Sequence, residues 1–142
     1  GERSVRLSPA SELIIDARVT FDHPRIGTQR LAFRLADFRD ELSWARTFGF
    51  LDQVEALRKA GYARGGSLDN AVVFTPEGGV LNPEGLRAPD EPLRHKLLDI
   101  VGDLALLGTR LHARVEADRP GHGMTLAVLR ALQADPEAFE RT

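Results

Sequence analysis

The residues best suited to chemistry lie on one predicted helix, where His95, Asp99 and Asp103 recur at intervals of four. That spacing projects all three from one helix face, and an imidazole and a carboxylate one turn apart can bind a single metal ion. The same row stands opposite an apolar stripe of Leu93, Leu97, Ile100, Val101, Leu104 and Leu107, which is also what a solvated helix face shows. Spacing alone leaves both readings open. Gly102 sits mid-helix, where glycine costs about 1 kcal/mol relative to alanine, and close approach of a backbone or a ligand is one reason to keep it. Lys96 is either a solvated lysine or a positive charge held for an anionic substrate or transition state.

A second candidate is His122, in Arg119-Pro120-Gly121-His122-Gly123, expected as a turn between a strand and a helix. From such a turn an imidazole can reach into a cleft or simply stay exposed. A helix carboxylate such as Asp103 hydrogen-bonded to it would hold one ring orientation, which suits a general acid. His23, before a proline in a turn, and His112, on the polar side of a strand, read as structural. In Arg46-Thr47-Phe48-Gly49-Phe50 the Thr47 hydroxyl either edges a strand with two core phenylalanines or meets a reacting oxygen beside an apolar channel. Gly65-Gly66-Ser67 lacks the spacing of a P-loop and reads as a turn.

These side chains need elements to hold them. Leu13, Ile15, Ala17, Val19 and Phe21 alternate with polar residues, the period of a strand with one buried face. The cluster from Asp22 to Gly27 breaks that run, and Leu31, Phe33 and Leu35 resume it, which predicts an antiparallel hairpin with a long turn. Asp37 is expected to cap a short helix through Phe38, Leu42 and Ala45, followed by a second near Gln53 to Lys59 that Gly61 ends. Ala71 to Phe74 and Val80-Leu81 predict short strands of a small βαβ or hairpin excursion, an insertion over about residues 50–82. The long helix runs from about Glu91 to Leu107 with Gly108 as its stop. Leu111 to Ala117 alternate as another strand, and Met124 to Leu132 form a last amphipathic helix. The expected fold is α+β: a two-layer sandwich of a mixed sheet with helices packed on one face, plus the small βαβ-like insertion.

A length of 142 residues predicts one domain over the whole of 1–142. No stretch approaches the ~20 consecutive apolar residues of a membrane-spanning helix, and 19 basic against 21 acidic residues give no overall positive field, so neither a membrane span nor a nucleic-acid partner is expected. The absence of cysteine confines any metal site to His and carboxylate ligands and agrees with a reducing cytoplasm. The polar, basic run from Gly1 to Leu7 is not expected to be a secretory signal.

Taken together, Arg46-Thr47-Phe48-Gly49-Phe50, Gly65-Gly66-Ser67-Leu68-Asp69-Asn70, Val80-Leu81-Asn82, Arg94-His95-Lys96-Leu97-Leu98-Asp99, Gly102-Asp103-Leu104 and Gly121-His122 resemble, in order and spacing, the second half of the UDP-3-O-acyl-N-acetylglucosamine deacetylase family. The resemblance runs from about Phe21 to Phe139. It implies a zinc-dependent hydrolase that removes the acetyl group from UDP-3-O-acyl-N-acetylglucosamine, the committed step of lipid A synthesis in Gram-negative bacteria, in the cytoplasm. By this resemblance His95 and Asp99 are two of three protein zinc ligands, Lys96 contacts substrate, His122 is the general acid oriented by Asp103, and Thr47 lies beside the reacting oxygen. Phe48 and Phe50, with Ser67 and Leu68, match residues near the acyl chain. Phe21 and Arg119 match positions near the uridine and diphosphate, Arg119 in charge rather than identity. The family's third ligand, a histidine, and its general base, a glutamate beside it, belong to an N-terminal domain, and neither His23 nor His112 sits in the matching context. The expectation is therefore a chain inactive alone, with an N-terminal domain or chain completing the site; the alternative is a non-catalytic module that binds the UDP and acyl groups.

Overall fold

In the computed structural model, which describes residues 3–61 and 65–140, the segments of period two become strands and those of helical period become helices. In chain order these are β1 (Ser4–Pro9), β2 (Ile14–Thr20), β3 (Thr28–Arg34), α1 (Phe38–Glu41), β4 (Thr47–Phe50), α2 (Leu51–Lys59), β5 (Ala71–Phe74), α3 (Glu91–Ala105), β6 (Ala113–Asp118) and α4 (His122–Ala134). Four strands form one mixed sheet in the order β1-β6-β2-β3. The expected hairpin pairs β2 with β3 antiparallel, with Ile15 opposite Phe33, while β6 runs parallel to β2 and antiparallel to β1. Sequence reading missed β1. Its signal is only Val5 and Leu7 either side of Arg6, and the strand exists because β6 offers them Ala117 and Val115 as partners.

One face of this sheet makes the core. Ile15, Ala17, Val19, Phe33, Val115 and Ala117 meet Leu93, Leu97, Ile100 and Leu104 of α3 and Leu129 of α4, so both long helices cover a single face of an α+β sandwich. The other face is polar, and there Asp16 is buried beneath two arginines, accepting from Arg30 at 2.9 and 2.8 Å and from Arg114 at 2.9 Å. The Arg30 hydrogen bonds, against the opposing effect of burial, hold the Asp16 carboxyl below the usual carboxylate range.

Between β3 and α3 the chain builds a βαβ unit, but its first strand is β4 from Thr47, ahead of the expected residues 50–82, and the strand expected at Val80-Leu81 is reduced to a single bridge. Strands β4 and β5 pair in parallel as a separate two-stranded sheet, with α2 as the crossover, and Val80 adds an antiparallel bridge to Phe74. Gly49 permits this fold-back, because a Cβ there would lie 2.9 Å from Val54 Cγ2 of α2. The unit has its own small core of Ile26, Val72 and Phe74, against which Phe21, Phe48 and Phe50 pack.

Several boundaries shift. Strand β3 ends at Arg34, Leu35 opens a short 3-10 turn, and the Asp37 side chain makes no capping bond to α1. Helix α3 ends at Ala105, and the chain turns through Leu106 and Leu107 to Gly108, whose φ of 67° is left-handed. Nothing lies within 4 Å of a Cβ placed on Gly108, so only backbone strain opposes a side chain. Gly108→Ala is expected to cost about 1 kcal/mol in urea unfolding; a neutral result would mean that the turn relaxes freely. Among the described residues no helix is long and apolar enough to cross a membrane.

Candidate active site

The row on α3 faces a cleft. His95, Lys96 and Asp99 line it together with Thr47, Phe48, Gly49 and Phe50 of β4, Phe21 after β2, Gln53 of α2 and His122 of α4, around a space of roughly 300 Å³. His95 and Asp99 thus lie in a cleft wall rather than on an open face. These elements, distant in sequence, converge because α3 crosses the sheet beside the start of the βαβ unit while β6 delivers α4 alongside it.

His95 stands between two acceptors. Its Nδ1 lies 3.2 Å from the Ala45 carbonyl oxygen, and its Nε2 faces Asp99 Oδ1 at 3.3 Å. A cation, either a proton or a metal ion, can bridge Nε2 and that carboxylate. Two ligands of a tetrahedral zinc, each about 2.0–2.1 Å from the ion, are themselves roughly 3.3–3.4 Å apart, so the donor pair fits such an ion. Among the described residues, however, no group of three His, Asp or Glu side chains is arranged to hold a metal.

Lys96 is paired rather than simply solvated: its Nζ donates to Asp99 Oδ2 at 2.8 Å and lies 5.9 Å from the centre of the Phe48 ring. Burial works to raise Asp99, but His95 and Lys96 outweigh it and bring the carboxyl from 3.8 down to about 2. Because the folded-state value is depressed, this group stabilises the fold above about pH 4, and the contribution is lost as pH falls towards 2. In the metal-free protein the loss should be at most about 2 kcal/mol, seen as a falling unfolding free energy that Asp99→Asn abolishes. The same acid slope in the variant would show that Asp99 is not its source.

His122 sits differently from expectation. It is not in a flexible turn but opens α4, directly after the N-cap residue Gly121. Its Nδ1–H donates to both Asp103 carboxylate oxygens at 2.9 Å, and its Nε2 stands 3.9 Å from Asp99 Oδ2. The imidazole is 60% exposed, whereas Asp103 is only 13% exposed, so a fixed carboxylate holds a ring that solvent or a ligand can reach. Gly102, next to Asp103, has nothing within 4 Å of the position a Cβ would take, so no described part of this chain makes the close approach expected there.

A second groove of roughly 430 Å³ shares Phe21 and Lys96 with the cleft and continues to Arg119, Pro120, Gly121 and Arg3. Arg119 stands at φ 49°, a left-handed conformation uncommon for any residue but glycine, and its N–H is tied to the Arg18 carbonyl at 2.7 Å. Ser67 and Leu68 lie on the loop before β5, outside the lining of both spaces; Ser67 N–H instead bonds Asn70, and the Leu68 carbonyl accepts from Asn82. His23 is structural as read, since Nε2–H donates to the Thr75 carbonyl at 2.8 Å and Nδ1 accepts from Arg25 N–H at 3.2 Å, leaving no lone pair for a metal. His112 is exposed, one residue before β6 rather than within it.

Sequence reasoning overlooked Gln53 in the cleft and the buried ion pair behind it. Arg46 donates to Glu91 through Nε at 2.9 Å and NH2 at 3.1 Å, and to Glu84 through NH1. Glu91, four residues before His95, carried the same spacing signal as Asp99 on its other side.

A family model described as UDP-3-O-acyl N-acetylglycosamine deacetylase matches residues 1–134. Curated proteins called UDP-3-O-acyl-N-acetylglucosamine deacetylase are similar over nearly the whole chain. That of Phenylobacterium zucineum is 48% identical over 98% of this chain and 48% of its own length. That of Anaeromyxobacter sp. is 46% identical over 96% and 45%, and that of Myxococcus xanthus 44% identical over 99% and 45%. The chain spans about half the length of the curated relatives it matches.

Proposed function

The chain belongs to the UDP-3-O-acyl N-acetylglycosamine deacetylase family, and from that premise we propose that it carries half of a zinc-dependent amidase site. The reaction is removal of the acetyl group from UDP-3-O-acyl-N-acetylglucosamine in lipid A biosynthesis, and a UDP-linked substrate points to the cytoplasm. What supports this reading is the convergence of the His95–Asp99 donor pair and the Asp103-held His122 on one cleft.

His95 and Asp99 would hold zinc, which when bound polarises the amide carbonyl and makes water a better nucleophile. The residues of this chain supply the oxyanion contact, the general acid and the substrate surfaces. Thr47, exposed at the start of β4, donates its hydroxyl to the carbonyl oxygen as negative charge develops there. His122 gives the proton on Nε2 to the departing amine, while Asp103 keeps Nδ1–H and the ring plane fixed. Lys96 places its charge beside Asp99 and towards the second groove, where Phe21 and Arg119 would meet the uridine diphosphate. Phe48 and Phe50 exclude water and receive the acyl chain; Ser67 and Leu68, farther out, would touch only its distal part. Residues 1–142 act as one domain, the second of the enzyme, with the βαβ insertion over about 50–82. The third zinc ligand and the general base come from the other half of the longer relatives.

The test is acetate release from UDP-3-O-acyl-N-acetylglucosamine by this chain with zinc, with and without a separately produced N-terminal half from a relative. Activity only on mixing, lost in His95→Ala, is the expected result. Activity of the chain alone would mean that no ligand or base is lacking. UDP binding without activity in either mixture would favour a binding module.

A further inference from the structure

Beside β5 a side chain continues the ladder that a strand would otherwise form. Val80 bridges Phe74, the Leu81 N–H donates to the Val73 carbonyl at 2.8 Å, and at the next residue, Asn82, the carboxamide takes over. Its Oδ1 accepts from the Val73 N–H at 3.0 Å, and its Nδ2 donates to the Leu68 and Ala71 carbonyls, both at 2.8 Å. One N–H on one side and two carbonyls on the other admit only this orientation of the amide. Asn82 is 3% exposed, so these bonds are made away from water. The segment it holds is one turn. There the Ser67 carbonyl accepts from the Asn70 and Ala71 N–H groups, and the Asn70 side chain closes the turn onto Ser67 N–H and the Gly65 carbonyl. Those bonds shape the turn; Asn82 ties it to β5, and Arg58 ties it to α2 through the Gly66 carbonyl. Leu68 on this turn is 38% exposed and Leu81, beside Asn82, is 43% exposed, so a satisfied polar frame presents apolar side chains outward.

We infer that Asn82 is a positioning residue for acyl-chain selectivity: by holding the Leu68 carbonyl it sets where Leu68 stands, and so how strongly the protein favours long acyl chains over short ones. The selectivity rests on the reading of Leu68 as a contact of the distal part of the chain; the hold on the turn does not. Phe48 and Phe50 lie on β4 in the cleft, whereas Leu68 precedes β5 by three residues and lies outside it. A short acyl group therefore meets the phenylalanines alone, and only a longer one senses the turn. Burying one methylene is worth roughly fourfold in affinity, a gain that continues to the distal carbons only while an apolar side chain is held there to meet them.

The experiment titrates the full chain with UDP-3-O-acyl-glucosamines, the product of the proposed reaction, in a series whose saturated acyl groups lengthen stepwise. Amide hydrogen exchange is followed in the same proteins. In the unaltered chain affinity should rise roughly fourfold per methylene along the series. Asn82→Asp keeps the size and the acceptor for Val73 N–H but loses both donors. It should leave the rise over the short members as it was and cut it to less than about twofold per methylene over the long ones. It should also speed exchange at the Asn70 and Ala71 amides while those of β2 keep their protection. Leu68→Ser should flatten the same long members with exchange unchanged, and the double variant should bind no worse than the weaker single one, because both remove one contact. An amide that only supports the fold would shift the whole series in parallel; that result in Asn82→Asp would overturn the proposal, as would unchanged exchange at Asn70 and Ala71. A series flat in the unaltered chain would instead remove the acyl-chain reading of Leu68 and the selectivity with it, and exchange would still decide whether Asn82 holds the turn.

Discussion

His122→Ala is expected to lower kcat of the completed enzyme by roughly 10²–10⁴-fold, the usual contribution of a positioned general acid, while zinc affinity and KM change little. The split follows from where the ring stands. Its Nε2 is 3.9 Å from the nearer Asp99 oxygen and is not one of the paired donor atoms, so its loss leaves the His95–Asp99 pair intact. An amine leaving an amide is a poor leaving group unless protonated, and among the cleft residues His122 alone offers an exposed ring nitrogen backed by a carboxylate. Asp103→Ala should cost less, because the imidazole remains but no longer has its Nδ1–H held at 2.9 Å. Steady-state kinetics with stoichiometric zinc separate the cases. A kcat within tenfold of the unaltered enzyme in His122→Ala would assign the proton to another group.

The largest stability effect is expected at Glu91→Ala, about 3–5 kcal/mol in urea unfolding, because it strands a buried guanidinium. Arg46 is 4% exposed at its side chain and would keep only Glu84 and the Gly85 carbonyl. Burial alone would raise the Glu91 carboxyl, but Arg46 and the Arg87 and Arg46 N–H groups prevail and keep it below its ordinary value, so the pair is ionised at neutral pH. Replacing both partners with methionine removes the charges together and should recover most of that loss, since apolar substitutes for a buried pair are often neutral or stabilising. A cost below about 1 kcal/mol for Glu91→Ala would show that water reaches the guanidinium.

How much of this could be read beforehand depends on the range of each interaction. The faces of α3, the hairpin of β2 and β3 and the α+β class all follow from patterns within a few residues, because helix and strand periods are set by local backbone geometry. So the sequence by itself determined that His95, Asp99 and Asp103 share a face. Whether that face meets water or a cleft was decided by contacts across long stretches of chain. Ala45 lies 50 residues from His95, Arg46 45 from Glu91, and Asp103 19 from His122. β1 likewise becomes a strand only against β6, near the other end of the chain. No local period encodes such partners; they are selected when burial of the shared core on α3, α4 and the sheet fixes how the elements lie, and side chains far apart in sequence are left within hydrogen-bonding reach.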